Sequence, residues 1–224
     1  MFCIAVFSTM DVKYISHAAE KSEIVKEYVV QTENGQAYEE ISMAYEDETL
    51  SVLPEEPSLN EKNILLMELT PEQAYALGQE EGVKVESNIT LNGGSLADPA
   101  AEDVKSLAER QWNLSAVQAE SVGEISGGKK INVAILDSGV DLLNDVEFDY
   151  QTSLVPEENT DDPTGHGTII TNIIARNQNG FCETGMIPDS APIGLYNVRI
   201  LDENNQTPLS RVIEAGPRGS AAGI

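Results

Sequence analysis

The run from Ile131 to Leu136 is mostly β-branched or apolar. It is too short for an independent helix and lacks strict alternation, so it predicts a strand buried on both faces of a parallel sheet. Ile193 to Leu201 repeats that pattern, and Ile169 to Ala175 between them is an apolar helical run. Upstream, Lys26 to Thr32 predicts a strand, Asn34-Gly35 a turn after it, and Gln36 to Leu50 is an acidic stretch compatible with helix or loop. Pro54 and Pro57 mark a loop, and Asn63 to Leu69 a further strand. Thr70-Pro71-Glu72-Gln73 carries a cap, a first-turn proline and an early acid, predicting a helix to about Glu81 that Gly82 stops. Val83 to Ile89 alternates as a strand does. This strand, helix, strand order suits a small α+β module.

Asn92 to Ala101 has the small, proline-bearing composition of a linker or accessible processing loop. Trp112 is the sole tryptophan and is expected to anchor its segment by burial. A helix begins near Ser210, with Gly216-Pro217 expected to cut it.

Composition narrows the partners. With 224 residues and 41% hydrophobic content the chain has room for one large or two small packed domains. Its 38 acidic and 13 basic residues give a net charge of -25, which repels nucleic acid and anionic membrane at long range. Cys3 and Cys182 stand far apart, without metal-ligand spacing. No apolar run reaches the length of a transmembrane segment. Met1 to Val6 is apolar but short and has no basic segment before it, so it reads either as a terminal strand or as the tail of a secretion signal.

Candidate chemistry begins where the first predicted strand ends. Asp137 is followed by the turn signal Ser138-Gly139, which puts a carboxylate at the sheet edge where α/β folds place their sites. Standing alone it would be a turn-former or a cap. Thr164-Gly165-His166-Gly167-Thr168 follows, with glycines on both sides of the imidazole that permit close approach and a sharp entry into a helix. An aspartate that orients a histidine is two thirds of a nucleophilic triad. Gly185-Met186-Ile187-Pro188 then leads into the second buried run.

In this order the three pieces resemble the subtilisin-like serine proteases, the subtilases. The aspartate motif there reads like Asp137-Ser138-Gly139, the histidine motif like His166-Gly167-Thr168, and a Gly-x-x-Pro turn leads to the next core strand. The chain order aspartate, histidine, serine is the subtilisin order. Leu69 to Leu77 and Gly82-Val83-Lys84-Val85-Glu86 resemble the end of the subtilase pro-region, and Gln111-Trp112-Asn113-Leu114 the start of the mature enzyme. The resemblance implies an α/β fold, with part of a subtilisin-like parallel sheet and flanking helices preceded by a small α+β, ferredoxin-like pro-region. It divides the chain into an N-terminal segment (1–25, read as a remnant of a signal), a pro-region (26–91), a linker with a processing site (92–110), part of the catalytic domain (111–215) and an atypical tail (216–224).

The implied activity is serine-type endopeptidase, with Asp137 and His166 catalytic, peptide or protein as substrate, and the pro-region as intramolecular inhibitor. No cofactor is required for the chemistry. Structural calcium is expected at Asp145 and Asn179, where subtilases often place oxygen ligands. The implied location is secreted or cell-envelope. The family's Gly-Thr-Ser-x-Ala motif and its oxyanion asparagine are missing, and Ser220 in Gly219-Ser220-Ala221-Ala222 lacks the preceding threonine. The expectation is therefore a precursor that is incomplete as given and inactive, with unpaired strand edges and uncovered apolar faces. The alternative is a non-catalytic, protease-like binding or inhibitory module. Ile169 and Asn172 depart from the family, which more often has histidine and glycine there.

Overall fold

The computed structural model describes residues 24–53, 63–94, 111–119, 128–141, 146–177 and 184–221. Its first half runs β1 (Lys26–Thr32), α1 (Gly35–Ala44), β2 (Thr49–Leu53), β3 (Ile64–Leu69), α2 (Pro71–Leu77) and β4 (Val83–Ser87). The four strands form one antiparallel sheet in the order β2-β3-β1-β4.

β3 is apolar at nearly every position because both of its faces are covered. Leu65, Met67 and Leu69 point toward α1 and α2 and pack with Val30, Ile41, Ala74 and Leu77. Ile64 and Leu66 point the other way, joining Val29 and Leu53. Successive strand side chains alternate faces, so a run without polar interruption needs cover on each side.

Two local readings are corrected here. Asn34-Gly35 does not turn the chain after β1; Asn34 caps α1, its side chain accepting the Ala37 N–H at 3.0 Å. Asparagine serves both purposes, and the helical continuation decides between them. The acidic stretch that follows divides into α1 and β2. At α2 the predicted start is present as a reciprocal capping box, with Thr70 Oγ1 accepting from Gln73 N at 3.2 Å and Gln73 Oε1 from Thr70 N at 2.8 Å. The helix ends at Leu77 rather than near Glu81. Gly78 caps it, and i→i+3 bonds through Gln79 and Glu80 tighten the exit. Gly82, at φ +77°, supplies the left-handed turn into β4.

The short β5 (Thr90–Asn92) leaves this module. Then come α3 (Trp112–Ala116), β6 (Ile131–Asp137), β7 (Tyr150–Ser153), α4 (His166–Ala175), β8 (Ile193–Arg199), β9 (Gln206–Pro208) and α5 (Leu209–Ala221). β6, β8 and β7 make a parallel sheet in that order. β8 is the central strand and is buried from Gly194 to Arg199. β6, expected to be buried on both faces, is instead an edge strand among the described residues. Ile131 is 65% exposed, and within the strand only Ile135 and Asp137 are buried.

β5 and β9 pair antiparallel, stitching the two halves together. α5 covers the second face of the N-terminal sheet with Leu209 and Ile213. It is not cut at Gly216-Pro217 but runs on to Ala221. Pro217 has no N–H to donate to the Ile213 carbonyl, so the helix continues past it with that bond of the ladder unmade. Trp112, expected in the core, is 70% exposed, and α3 is anchored by Leu114. The Gln111 side chain also holds this segment, donating to the Thr184 carbonyl at 2.7 Å and accepting the Thr184 N–H at 3.2 Å.

Candidate active site

Asp137 is the last residue of β6 and sits between two uses of its polar groups. Its carbonyl accepts the N–H of Ile200 at 2.8 Å and of Leu201 at 3.2 Å, which bends the end of β8 over it. Its carboxylate faces the start of α4. Gly139 follows at φ +112°, and a Cβ there would lie 2.6 Å from the Thr160 carbonyl oxygen. Only glycine satisfies both the conformation and the space. Gly165, at φ +76°, turns the chain into α4. Gly167 lets the first turn of that helix settle onto the aspartate loop, where a Cβ would press on the Gly139 carbonyl and lie 3.2 Å from Asp137 Oδ1.

The result is direct contact between the two predicted site residues. His166 Nδ1 lies 2.8 Å from Asp137 Oδ1, with side-chain exposures of 18% and 12%. An ionised carboxylate only accepts, so the proton sits on Nδ1 and leaves Nε2 as the basic nitrogen. Oδ1 also accepts the Ser138 N–H at 2.7 Å. A carboxylate held by two donors in a largely buried corner can orient the ring, and it would stabilise an imidazolium were Nε2 to take a proton.

A second carboxylate underlies this pair. Asp162 is 6% exposed and accepts from Ser138 Oγ at 2.7 Å, Gly165 N at 2.9 Å and Thr164 N at 3.2 Å through Oδ1, and from Thr168 N at 2.8 Å through Oδ2. Burial pushes its pKa up, but the bonds from Thr168, Ser138 and Thr164 outweigh this and hold it below the ordinary carboxylate value. Thr168 completes the link by accepting the Asp141 N–H at 3.0 Å through its hydroxyl. The loop carrying Asp162 is tied down by buried Arg199, which donates to the carbonyls of Asn159 and Leu201 and pairs with Glu158.

The outer face of the imidazole meets the N-terminal half. A Cβ on Gly94 would lie 3.1 Å from His166 Nε2, so the backbone at Gly94 lies over the nitrogen that would act as base. It is fixed there by Asn205, whose Nδ2 donates to the Gly94 carbonyl at 2.6 Å and whose own carbonyl accepts the Gly93 N–H at 2.7 Å.

Asp162, Asn205 and Gly94 carried no signal in the sequence. Asp162 is one of several acids in its loop, and the Gly94 to Asn205 contact joins residues 111 apart. Asp145 and Asn179, the expected calcium ligands, lie outside the described residues, as do Cys3 and Cys182. Among the described residues no group of three or more His, Cys, Asp or Glu side chains is gathered that could hold a metal ion. Ser220 falls near the end of α5. The Asn172 side-chain oxygen is buried without a hydrogen-bond partner among the described residues.

Residues 128–216 match the Subtilase family model. The chain is 27% identical over 198 residues to an alkaline protease of Alkalihalobacillus alcalophilus, covering 87% of this chain and 47% of that one. It is 30% identical over 105 residues to subtilisin BL of Lederbergia lenta, covering 46% and 38%. The chain thus spans about half the length, or less, of these relatives. Among solved structures, the epidermin leader peptide processing serine protease of Staphylococcus aureus superposes with a TM-score of 0.51 at 19% identity, over 87% of this chain and 48% of that one. The likeness in structure is one of fold.

Proposed function

We propose, from the subtilase family to which residues 128–216 belong, that this chain is part of the precursor of a secreted serine endopeptidase in which Asp137 and His166 are two members of the triad. The observation that carries the reading is the 2.8 Å bond from His166 Nδ1 to Asp137 Oδ1, with Nε2 turned to where a peptide backbone lies. Nε2 takes the proton of a serine hydroxyl as that oxygen attacks the scissile carbonyl, and returns it to the departing amine. The nucleophile is supplied by a Gly-Thr-Ser-x-Ala segment that these 224 residues do not carry, so on this reading they cleave no peptide by themselves.

Residues 26–91 are read as the pro-region and inhibitor. Their β-α-β-β-α-β element order and the seating of the following tail on the imidazole support this. A tail that adds as a strand beside β9 and covers Nε2 excludes a substrate from the same position. Processing is placed in residues 92–110, and oxygen ligation of calcium at Asp145 and Asn179 belongs to the same proposal.

The test has two arms. The 224-residue chain is incubated with a fluorophosphonate probe and a peptide substrate, and no labelling is expected; labelling at Ser220 would overturn the serine assignment. The coding DNA past the Ile224 codon is then read, and any longer product is expressed. An asparagine followed by Gly-Thr-Ser-x-Ala, with peptidase activity lost in D137N and H166A, is the expected result.

The contact at Gly94 also favours a second reading, a non-catalytic module that engages a protease or peptide. A stop codon directly after Ile224, with no peptidase activity, would favour that reading.

A further inference from the structure

We infer that Asp162 is a positioning residue, which captures the hydroxyl proton of Ser138 and so reserves Asp137 Oδ1 for the His166 imidazole. The inference rests on reading Asp137 and His166 as orienter and base.

Ser138 is wholly buried, and its Oγ stands between two carboxylates, 2.7 Å from Asp162 Oδ1 and 3.1 Å from Asp137 Oδ1. A hydroxyl has one proton to give. The shorter, charge-assisted contact takes it. The oxygen itself is fixed from the other side by the Gly167 N–H at 2.9 Å. Asp137 Oδ1 already accepts from the Ser138 N–H at 2.7 Å and from the ring at 2.8 Å. If the hydroxyl turned to Asp137 it would be a third donor, competing with Nδ1–H.

Asp162 can hold the hydroxyl because it is itself held, by the N–H groups of Thr164, Gly165 and Thr168 at the entrance to α4. The same carboxylate thereby fixes the loop that presents His166 and the proton that would disturb its partner. The ionisable groups around this corner are Asp137 on β6, His166 at the start of α4, Asp141 beyond β6, and Asp161 and Asp162 on the loop. Asp141 Oδ1 accepts the Asp162 N–H, and Asp161 Oδ2 accepts from Asn159. Neither contacts Ser138 Oγ, whose carboxylate partners are Asp137 and Asp162.

The full chain, carrying His17→Gln so that His166 gives the only ring signal, is labelled with nitrogen-15 histidine, and the Nδ1 proton is followed by NMR. The parent is expected to show a downfield Nδ1 proton. In D162A this resonance should move upfield and exchange faster with water. In D162A/S138A it should return most of the way to the parental position, and S138A alone should leave it close to there. Identical spectra for D162A and D162A/S138A would overturn the inference while leaving the Asp137 to His166 bond standing. A parent chain without the downfield proton would overturn both. Should circular dichroism show D162A unfolded, D162N replaces it. Its weaker carbonyl acceptor should give a smaller upfield movement, again reversed by S138A; no reversal would overturn the inference.

Discussion

Gly167 and Asp137 are so close that a single added carbon on Gly167 would lie 3.2 Å from the aspartate's Oδ1 while pressing into the Gly139 carbonyl. The closeness explains why an α-carbon without a side chain follows the histidine. It also makes a first prediction. G167A should lift α4 off the aspartate loop, at a cost of ~1–3 kcal/mol typical of overpacking. Urea denaturation should show the lost stability, and the Nδ1 proton of His166 should move upfield even in the molecules that remain folded.

Asp162 leads to a second prediction, in pH. Its hydrogen bonds hold the folded-state pKa below the ordinary aspartate value of 3.8. The unfolded chain therefore binds this proton more readily than the folded one. The contribution to stability is complete above the ordinary carboxylate value and disappears as pH falls through the lower folded value. Urea midpoints for the parent and D162N, measured from neutral pH downward, should differ most near neutrality and converge in acid. A constant gap down to the lowest pH would refute the assignment.

The third prediction concerns the tail over the imidazole. G94V places carbon against His166 Nε2, where even a Cβ would be 3.1 Å away, and N205A removes the bond that fixes the Gly94 carbonyl. Both should loosen residues 90–94 from β9. In a His17→Gln background, diethyl pyrocarbonate should then modify His166 several-fold faster than in the parent.

The fourth tests a local reading. Thr70 closes the capping box of α2 with Gln73. T70A should cost about 1 kcal/mol in a urea titration, the usual effect of losing such a cap. A double variant with Q73A should cost less than the sum of the two single changes, because the two bonds form one reciprocal unit.

The parts legible in the sequence were those whose cause is local. Asp137 ends a short apolar run, His166 stands between two glycines, and Thr70 to Gln73 spells its own helix start; in each case the residues that set the conformation are neighbours in the chain. The misreadings have a common origin. Residue type alone points Trp112 to the core, but burial depends on what the fold brings to that place, and α3 sinks Leu114 instead. The apolar run Ile131 to Leu136 predicts cover on both sides, whereas sheet order makes β6 an edge strand among the described residues. Asn34 reads equally as a turn or a cap, because turns and helix caps use the same side-chain oxygen. Asp162 is hidden among acids, since nothing nearby distinguishes a solvated carboxylate from one that gathers five bonds across a loop.

The oily character of β3 on both faces has a mechanical consequence. Ile64 and Leu66, with Val29 and Leu53, rest on Leu209 and Ile213 of α5, so the N-terminal sheet and the parallel-sheet half share one apolar seam. Scission of the backbone anywhere between residues 94 and 111 would create two new chain ends without parting that seam. The fragments would stay clasped until something else took up the greasy underside of the sheet or digested it away.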